Sequence, residues 1–313
     1  MRVLVTGAGG FIGSWLCKQL VSEGHQVRAM LHYNTDKQNL DTVSDRIETF
    51  LGDVRFPDEC AQAVKTMNVV AHLAARISVD ESKHNPQAFW NTNVGGTYNI
   101  LEAARQENAK VMFMSSCEVI GNVEKGEADE SYPWRNPCSP YAASKQAGEA
   151  YCFSYGRTYP TFGYTVARCF NQTGPRQSLK AMIPRFISMV LDGKAPTIFG
   201  DGLQIRDYTD ARDTVRGLAK LLDGLEKGLY YGEVFHFASG KEYTILDVTN
   251  TILESCGSEL KPVFLSPRSG ELQRSVGKAE KAFMHLDWAP KVKFTQTVED
   301  IVEYMKWSKG QYA

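Results

Sequence analysis

Thr6-Gly7-Ala8-Gly9-Gly10-Phe11-Ile12-Gly13 is the stretch that decides the fold. A short apolar run, Arg2–Val5, leads into it, and a helical pattern over residues 12–23 leads away. Gly7, Gly10 and Gly13 stand three apart. The first lets the chain turn tightly off a strand, the second lets backbone approach a pyrophosphate, and the third lets the helix pack close to the sheet. The helix N-terminus adds free N–H donors and the positive end of its dipole. Strand, glycine turn and helix in this order predict a dinucleotide site, with Phe11 and Ile12 on its wall.

Outward from this turn, apolar runs alternate with helical patterns. Arg2–Val5, Gln26–Leu31, Ile47–Leu51, Val69–Leu73, Lys110–Ser115 and Thr165–Arg168 read as strands. Ile12–Glu23, Asp58–Lys65, Phe89–Gln106 and Tyr141–Tyr159 read as helices. Such alternation predicts an α/β chain: a Rossmann-type, doubly wound parallel sheet covered on both faces, with right-handed crossovers. After residue 170 the pattern loosens. Asn171–Gln177 reads as a loop, Met182–Leu191 as a helix, Gly200–Asp213 as polar and turn-rich, and Val234–Ala238 as one more buried strand. Residues 243–256 and 295–307 read as amphipathic helices. The expected division is 1–170 for the dinucleotide-binding domain and 171–313 for a smaller C-terminal α/β substrate domain, with segments near 200–240 returning to the sheet.

Composition bounds the partners. The chain has 313 residues, 35 basic and 36 acidic, for a net charge of -1. No global field recruits nucleic acid or an anionic membrane, so an anionic ligand needs locally placed cations and amides. No stretch approaches the roughly 20 apolar residues of a membrane span. Seven cysteines are scattered without Cys-x-x-Cys or Cys/His metal spacing. No metal site is expected, and reduced thiols in a cytoplasmic compartment are the economical reading.

At the end of the second strand a carboxylate commonly binds the adenosine ribose. Here Leu31 holds that place, followed by His32, so rejection of a 2'-phosphate is not enforced and NADP is not excluded; NAD is expected because a reversible internal oxidation benefits from a mostly oxidised pool. Asp53 and Val54 are placed for the adenine end, although an Asp there also suits a helix start. Leu73, Ala74 and Ala75, closing the fourth strand, complete the expected cofactor wall.

Tyr141 and Lys145 are four apart on one predicted helix, hence on one face. An ammonium near the phenol lowers its pKa from about 10, and the phenolate can take a proton from a sugar hydroxyl. Both residues are expected to border the cofactor. The preceding strand ends in Ser115-Ser116-Cys117-Glu118, where polar side chains face a ligand crevice. Ser116 can hydrogen-bond the reacting oxygen, while Ser115 suits strand-end capping.

The glycine turn, Ser116, Tyr141 and Lys145 together resemble the extended short-chain dehydrogenase/reductase family of nucleotide-sugar epimerases and dehydratases. So do Asn93-Val94-Gly95-Gly96-Thr97, Arg168-Cys169-Phe170-Asn171-Gln172-Thr173-Gly174-Pro175-Arg176, Gly200-Asp201-Gly202-Leu203-Gln204-Ile205-Arg206-Asp207-Tyr208, and the late Arg268-Ser269-Gly270-Glu271 and Leu286-Asp287-Trp288. The likeness runs end to end. It implies an NAD-dependent enzyme, with Ser116, Tyr141 and Lys145 as a catalytic triad and Asn171, Arg206 and Arg268 holding a nucleotide diphosphate. Two departures are Ile120, where the family shows a tyrosine, and Asp210-Ala211-Arg212-Asp213 in place of Tyr-Val-x-Asp.

A 4-epimerase needs only the triad, whereas a dehydratase also needs a base for the C5 proton and an acid for the departing 6-hydroxyl. Ser116-Cys117-Glu118 most resembles the Thr-Cys-Glu of the 5,6-dehydratases of tunicamycin-like pathways, which act on UDP-N-acetylglucosamine. The expectation is therefore a UDP-hexose dehydratase, with Glu118 as C5 base and Cys117, a thiol with reference pKa about 8.5, as acid or as apolar filler. A 4-epimerase is the alternative, followed by a decarboxylase or reductase and then a non-catalytic nucleotide-binding protein. A homodimer is expected through the helices at 89–106 and 141–159, with Tyr151, Phe153 and Tyr155 as aromatic surface or as core.

Overall fold

The computed structural model describes residues 1–268 and 270–311; Ser269, and residues 312 and 313 of the C-terminal domain, lie outside the described residues. Seven parallel strands form the main sheet. Six follow in chain order: β1 (Arg2–Thr6), β2 (Gln26–Leu31), β3 (Ile47–Leu51), β4 (Val69–His72), β5 (Lys110–Ser116) and β6 (Tyr164–Cys169). The spatial order is Val234–Phe237, β6, β5, β4, β1, β2, β3. The order reverses between β1 and β4, and there the two halves of a doubly wound sheet leave a crevice at the strands' C-terminal ends. Strands β1, β4 and β6 are buried almost throughout because both their faces are covered.

One face is covered by the Phe11–Ser22 and Ala211–Glu226 helices, whose Leu16, Leu20, Leu218 and Leu222 pack on Val5, Ala29 and Phe237. The other is covered by Pro57–Val64, Gly96–Gln106 and Pro140–Thr158, with Ile100, Cys152 and Tyr155 against Leu4, Val70 and Phe113. A separate core joins the Met182–Leu191, Ile245–Cys256 and Phe294–Gln311 helices.

Local chemistry sets the ends of these helices. Ser139 accepts from the Ala142 N–H at 3.1 Å and Pro140 opens the helix carrying Tyr141, a Ser-Pro start that needs no other cap. Thr244 and Asp247 form a capping box, and Gly257 closes the same helix in the left-handed region.

Two expectations change. The helix expected over 89–106 is interrupted: Trp90–Gly95 is a wide π turn, and the regular helix starts at Gly96. Residues 211–226, not expected as a helix, form one of sixteen residues. Its glycines hid the pattern, yet they are packing features. A Cβ on Gly217 would strike the Phe237 ring, and one on Gly224 the Tyr230 ring. Among the described residues no helix is long and apolar enough to cross a membrane.

Candidate active site

The glycine turn folds onto itself, with the Gly10 N–H donating to the Gly7 carbonyl at 3.0 Å. Gly7 has φ +68°, and a Cβ there would stand 2.9 Å from the Ala74 backbone. A Cβ on Gly13 would drive into the Gly7 carbonyl. The Thr6 hydroxyl accepts from the Leu73 and Ala74 N–H groups at 3.1 and 3.0 Å, tying the end of β4 to this turn. The result is a side-chain-free cradle above a helix N-terminus, which suits a dinucleotide pyrophosphate. From it opens a cleft of about 510 Å³. Gly7, Gly10, Phe11, Ile12, Gly13, His32, Asp53, Val54, Leu73, Ala74 and Ala75 all line it, with Leu31 and Met114.

At the far end of the cleft, His32 Nε2 lies 3.4 Å from Asp53 Oδ2. Asp53 accepts from the Arg55 Nε at 2.8 Å and from the Arg55 backbone N–H at 2.9 Å. Burial works to raise the Asp53 carboxyl, but the side-chain and backbone hydrogen bonds from Arg55, with the charges of Arg55 and His32, together outweigh it and hold the group below the usual carboxylate range. Asp53 is thus an ionised wall residue held in a turn; the helix that follows starts at Pro57.

Tyr141 and Lys145 share one face of the Pro140–Thr158 helix, and both are buried. The Lys145 Nζ donates to the Met114 carbonyl at 2.8 Å and lies 5.0 Å over the Phe113 ring. Burial pulls this ammonium down to about 8. Lysine was expected to lower the phenol. In the structure the larger influence on Tyr141 is burial, which pushes it above its ordinary value, and the hydrogen bond from Ser116 opposes that rise. The Ser116 hydroxyl also accepts from the Glu118 N–H at 3.3 Å, capping the short Cys117–Val119 turn. Ser115 points the other way and donates to Glu149 at 2.5 Å.

A second cavity, of about 850 Å³, adjoins the cleft, sharing Gly10, Phe11, Ala75, Arg76 and Ile77 with it. Glu118, Arg206 and Arg268 line it. Burial raises the Glu118 carboxyl, and the cations of Arg206 and Lys83 oppose the rise. Arg206 Nη2 stands 3.7 Å from Glu271. Arg268 pairs with Asp80 at 3.2 Å and lies 4.0 Å over the Phe199 ring. An arginine fork over a mixed-charge cavity of this size suits a diphosphate with a planar base beside it.

Asn171 does not line the cavity, and its side-chain amide donates to the Asp207 carbonyl at 3.2 Å. The reading of Cys117 as an acid needs correction. Cys117 is buried in an apolar cluster with Val119, Ile120, Val123 and Phe170. Burial pushes its thiol up to about 12, so it is a poor proton donor near neutral pH. Ile120 is wholly buried in the same cluster and does not form the cavity wall. Tyr155 and Phe153 pack into the core, whereas Tyr151 is exposed, together with Tyr98 and Trp90.

Sequence reasoning missed the remaining cavity cations, Arg76, Lys83, Arg176 and Lys180. Lys83 sits on a six-residue helix rich in charge, which reads as a solvated face. Arg176 carried a usable signal, since it ends the Gly174-Pro175-Arg176 turn and has φ 75°, unusual for a non-glycine residue. Asn93 also has a definite place: its amide brackets the Arg76 backbone at 2.8 and 2.9 Å and donates to Ser144 at 2.9 Å, fastening the cleft wall to the helix that carries Tyr141 and Lys145.

A seven-stranded doubly wound sheet, a glycine cradle and a buried Tyr–Lys pair beside a cation-lined cavity define a Rossmann-type, nicotinamide-dependent enzyme. Residues 3–235 match the NAD dependent epimerase/dehydratase family. The chain belongs to that family, and its cofactor is NAD. It is 33% identical to a dTDP-glucose 4,6-dehydratase of Actinoplanes sp., over 99% of each chain. It is 32% identical to a putative UDP-glucose 4-epimerase of Methanocaldococcus jannaschii, over 97% of this chain and 98% of the relative. Among solved structures, DesIV, a dTDP-glucose 4,6-dehydratase from Streptomyces venezuelae with NAD bound, superimposes with a TM-score of 0.93 at 31% identity, covering 99% of this chain and 98% of that one. UDP-glucose 4-epimerase from Thermus thermophilus, complexed with NAD, gives 0.89 at 32% identity, covering 98% and 99%.

Proposed function

We propose that this enzyme removes water from the hexose of a nucleotide sugar, with UDP-N-acetylglucosamine the substrate that the Ser116-Cys117-Glu118 triplet points to. The observation that carries the reading is Glu118: a carboxyl two residues beyond Ser116, in the same cavity as Arg206 and Arg268. When bound, NAD accepts hydride from the sugar C4 and returns it to C6 or C4. The protein's own groups do the rest. Tyr141 takes the proton of the 4-hydroxyl, Ser116 hydrogen-bonds the same oxygen, and Lys145 supplies positive charge behind the phenol.

Once C4 is a carbonyl, the C5 proton is acidic, and Glu118 removes it. Cys117 is buried with a firmly held proton, so the acid is reassigned to Glu118. The same carboxyl, raised by burial, hands its proton to the departing 6-hydroxyl oxygen. The C5–H and C6–O bonds break, a C5–C6 double bond forms, and water leaves. Hydride at C6, with a solvent proton delivered to C5 through Glu118, gives a 4-keto-6-deoxy sugar; hydride at C4, with the Tyr141 proton returned to O4, gives a 5,6-alkene. Arg206 and Arg268 hold the diphosphate and share its charge.

A second reading is a 4-epimerase. It is favoured by Cys117, which leaves no dedicated acid beside Glu118. The relatives include enzymes of both names. Incubation with UDP-N-acetylglucosamine, UDP-glucose and dTDP-glucose, followed by mass spectrometry, separates the two. Loss of one water from any of them supports the dehydratase, and unchanged mass with inversion at C4 supports the epimerase.

Residues 1–170 are assigned to cofactor binding and 171–313 to the nucleotide sugar. In support, the cofactor cleft is lined by residues up to Met114, while Arg176, Arg206 and Arg268 enter the cavity from the later part. The exposed Tyr98 and Tyr151, with ring centroids 6.0 Å apart, and the nearby exposed Trp90 support a homodimer through these helices, which light scattering would test. Seven unpaired cysteines support a reducing cytoplasmic compartment.

A further inference from the structure

Glu149 lies one helical turn beyond Lys145 and is wholly buried. Its two carboxylate oxygens accept from four donors. Oε1 takes the Ser115 hydroxyl at 2.5 Å and the Arg168 Nε at 2.8 Å. Oε2 takes the Trp134 Nε1 at 3.1 Å and the Arg168 Nη2 at 2.7 Å. Arg168 is itself only 4% exposed in its side chain and stands on β6 beside Cys169. Ser115 is the neighbour of Ser116 at the end of β5. One carboxylate therefore ties the catalytic helix to the tips of two central strands and to the 130s loop.

This arrangement is costly if its purpose is packing alone. Desolvating two ions offsets most of their attraction, and an apolar pair of similar volume commonly serves stability as well. Its position suggests a different use. Tyr141, Lys145 and Glu149 form a stripe at successive turns of one helix, so the carboxylate sits behind the lysine on the side away from the phenol. The other titratable groups around Lys145 are Cys152 on its own helix, Cys169 on β6, and His72 on β4. Burial holds both thiols protonated and keeps His72 neutral, down at about 3. Glu149 is the anion among these neighbours.

We propose that Glu149 is a positioning residue of the active site: bound to Ser115 and Arg168, it fixes the end of β5 against the catalytic helix, and its negative charge keeps Lys145 an ammonium. The inference rests on the reading of Tyr141 and Lys145 as the catalytic pair. Burial lowers the Lys145 ammonium, and Cys169, Glu149 and Cys152 oppose that fall; with both thiols held protonated, Glu149 is the charged one of the three. Without the carboxylate, the lysine would face the unneutralised Arg168 guanidinium, and its proton would leave at lower pH.

The test uses protein carrying ¹³C at lysine Cε, with the Lys145 signal assigned by its disappearance in Lys145→Met. The signal is followed with pH in wild type, in Glu149→Gln and in Glu149→Gln/Arg168→Met, which removes both charges and keeps the inference testable where the single variant does not fold. The Lys145 midpoint is expected to fall by about one pH unit or more in the single variant and by less in the double. An unchanged midpoint in the folded variants overturns the inference. Turnover of Tyr141→Phe is measured alongside, on whichever of UDP-N-acetylglucosamine, UDP-glucose and dTDP-glucose the wild type converts. A dead Tyr141→Phe with an unmoved Lys145 midpoint overturns this inference alone, whereas an active Tyr141→Phe overturns the catalytic reading and the inference with it.

Discussion

The Lys145 ammonium donates to the Met114 main-chain carbonyl at 2.8 Å, which anchors the catalytic helix to the end of β5 where Ser116 stands. Tyr141 stands one turn earlier on the same helix. Tyr141→Phe should therefore leave the fold and the sugar affinity nearly intact while lowering kcat by about 100-fold or more, the usual worth of a positioned acid–base group. Steady-state kinetics with parallel binding measurements check it. A kcat within a few-fold of wild type would remove Tyr141 from the chemistry.

Gly13→Ala should abolish tight NAD binding. The added methyl has nowhere to go but into the Gly7 carbonyl, so the turn that cradles the pyrophosphate must open. Calorimetric titration with NAD reads the loss. Wild-type affinity in a folded Gly13→Ala protein would mean the cradle is not where the dinucleotide binds.

The fold and the lining of the glycine-turn cleft were legible because their signals are local. Glycines three apart after a strand, and a Tyr and Lys four apart after Ser-Pro, dictate geometry without help from distant residues. The 211–226 helix was not legible, because the reasons for Gly217 and Gly224 lie beyond the helix, in Phe237, Trp288 and Tyr230. Cys117 reads as a proton donor from its reference pKa, but its burial, in a cluster with Val119, Ile120 and Phe170, raises the thiol, and only the folded chain shows that burial. The strand at Asn171–Thr173 was not legible either, because its partner, Tyr208–Asp210, lies more than thirty residues away. Glu149 escaped notice because a helical glutamate reads as solvated until Arg168 is seen beside it.

Arg206→Ala should raise KM for the nucleotide sugar about 10-fold or more, with a smaller effect on kcat. The guanidinium lines the sugar cavity, and a diphosphate contact is present in ground and transition states alike. An unchanged KM would make Arg206 only the partner of Glu271.

The pH dependence follows from Glu118. Burial raises its carboxyl above the ordinary carboxylate range, and the base form is the deprotonated one. Water elimination should therefore be lost as pH falls through this raised value, at higher pH than an exposed glutamate would give. Arg206→Ala removes a cation that opposes the rise and should move the acid limb further up. A pH profile of kcat from pH 4 to 8 reads both. An acid limb that moves downward in Arg206→Ala would contradict the assignment.

The central claim is that Glu118 removes the C5 proton while Tyr141 serves C4, and the reaction run in heavy water tests it most directly. The converted nucleotide sugar is analysed by mass spectrometry and proton NMR, for the wild type and for Glu118→Gln. The account predicts a product lighter by one water from the wild type, and little of it from Glu118→Gln. A product of unchanged mass, inverted at C4 and formed equally well by Glu118→Gln, would contradict it.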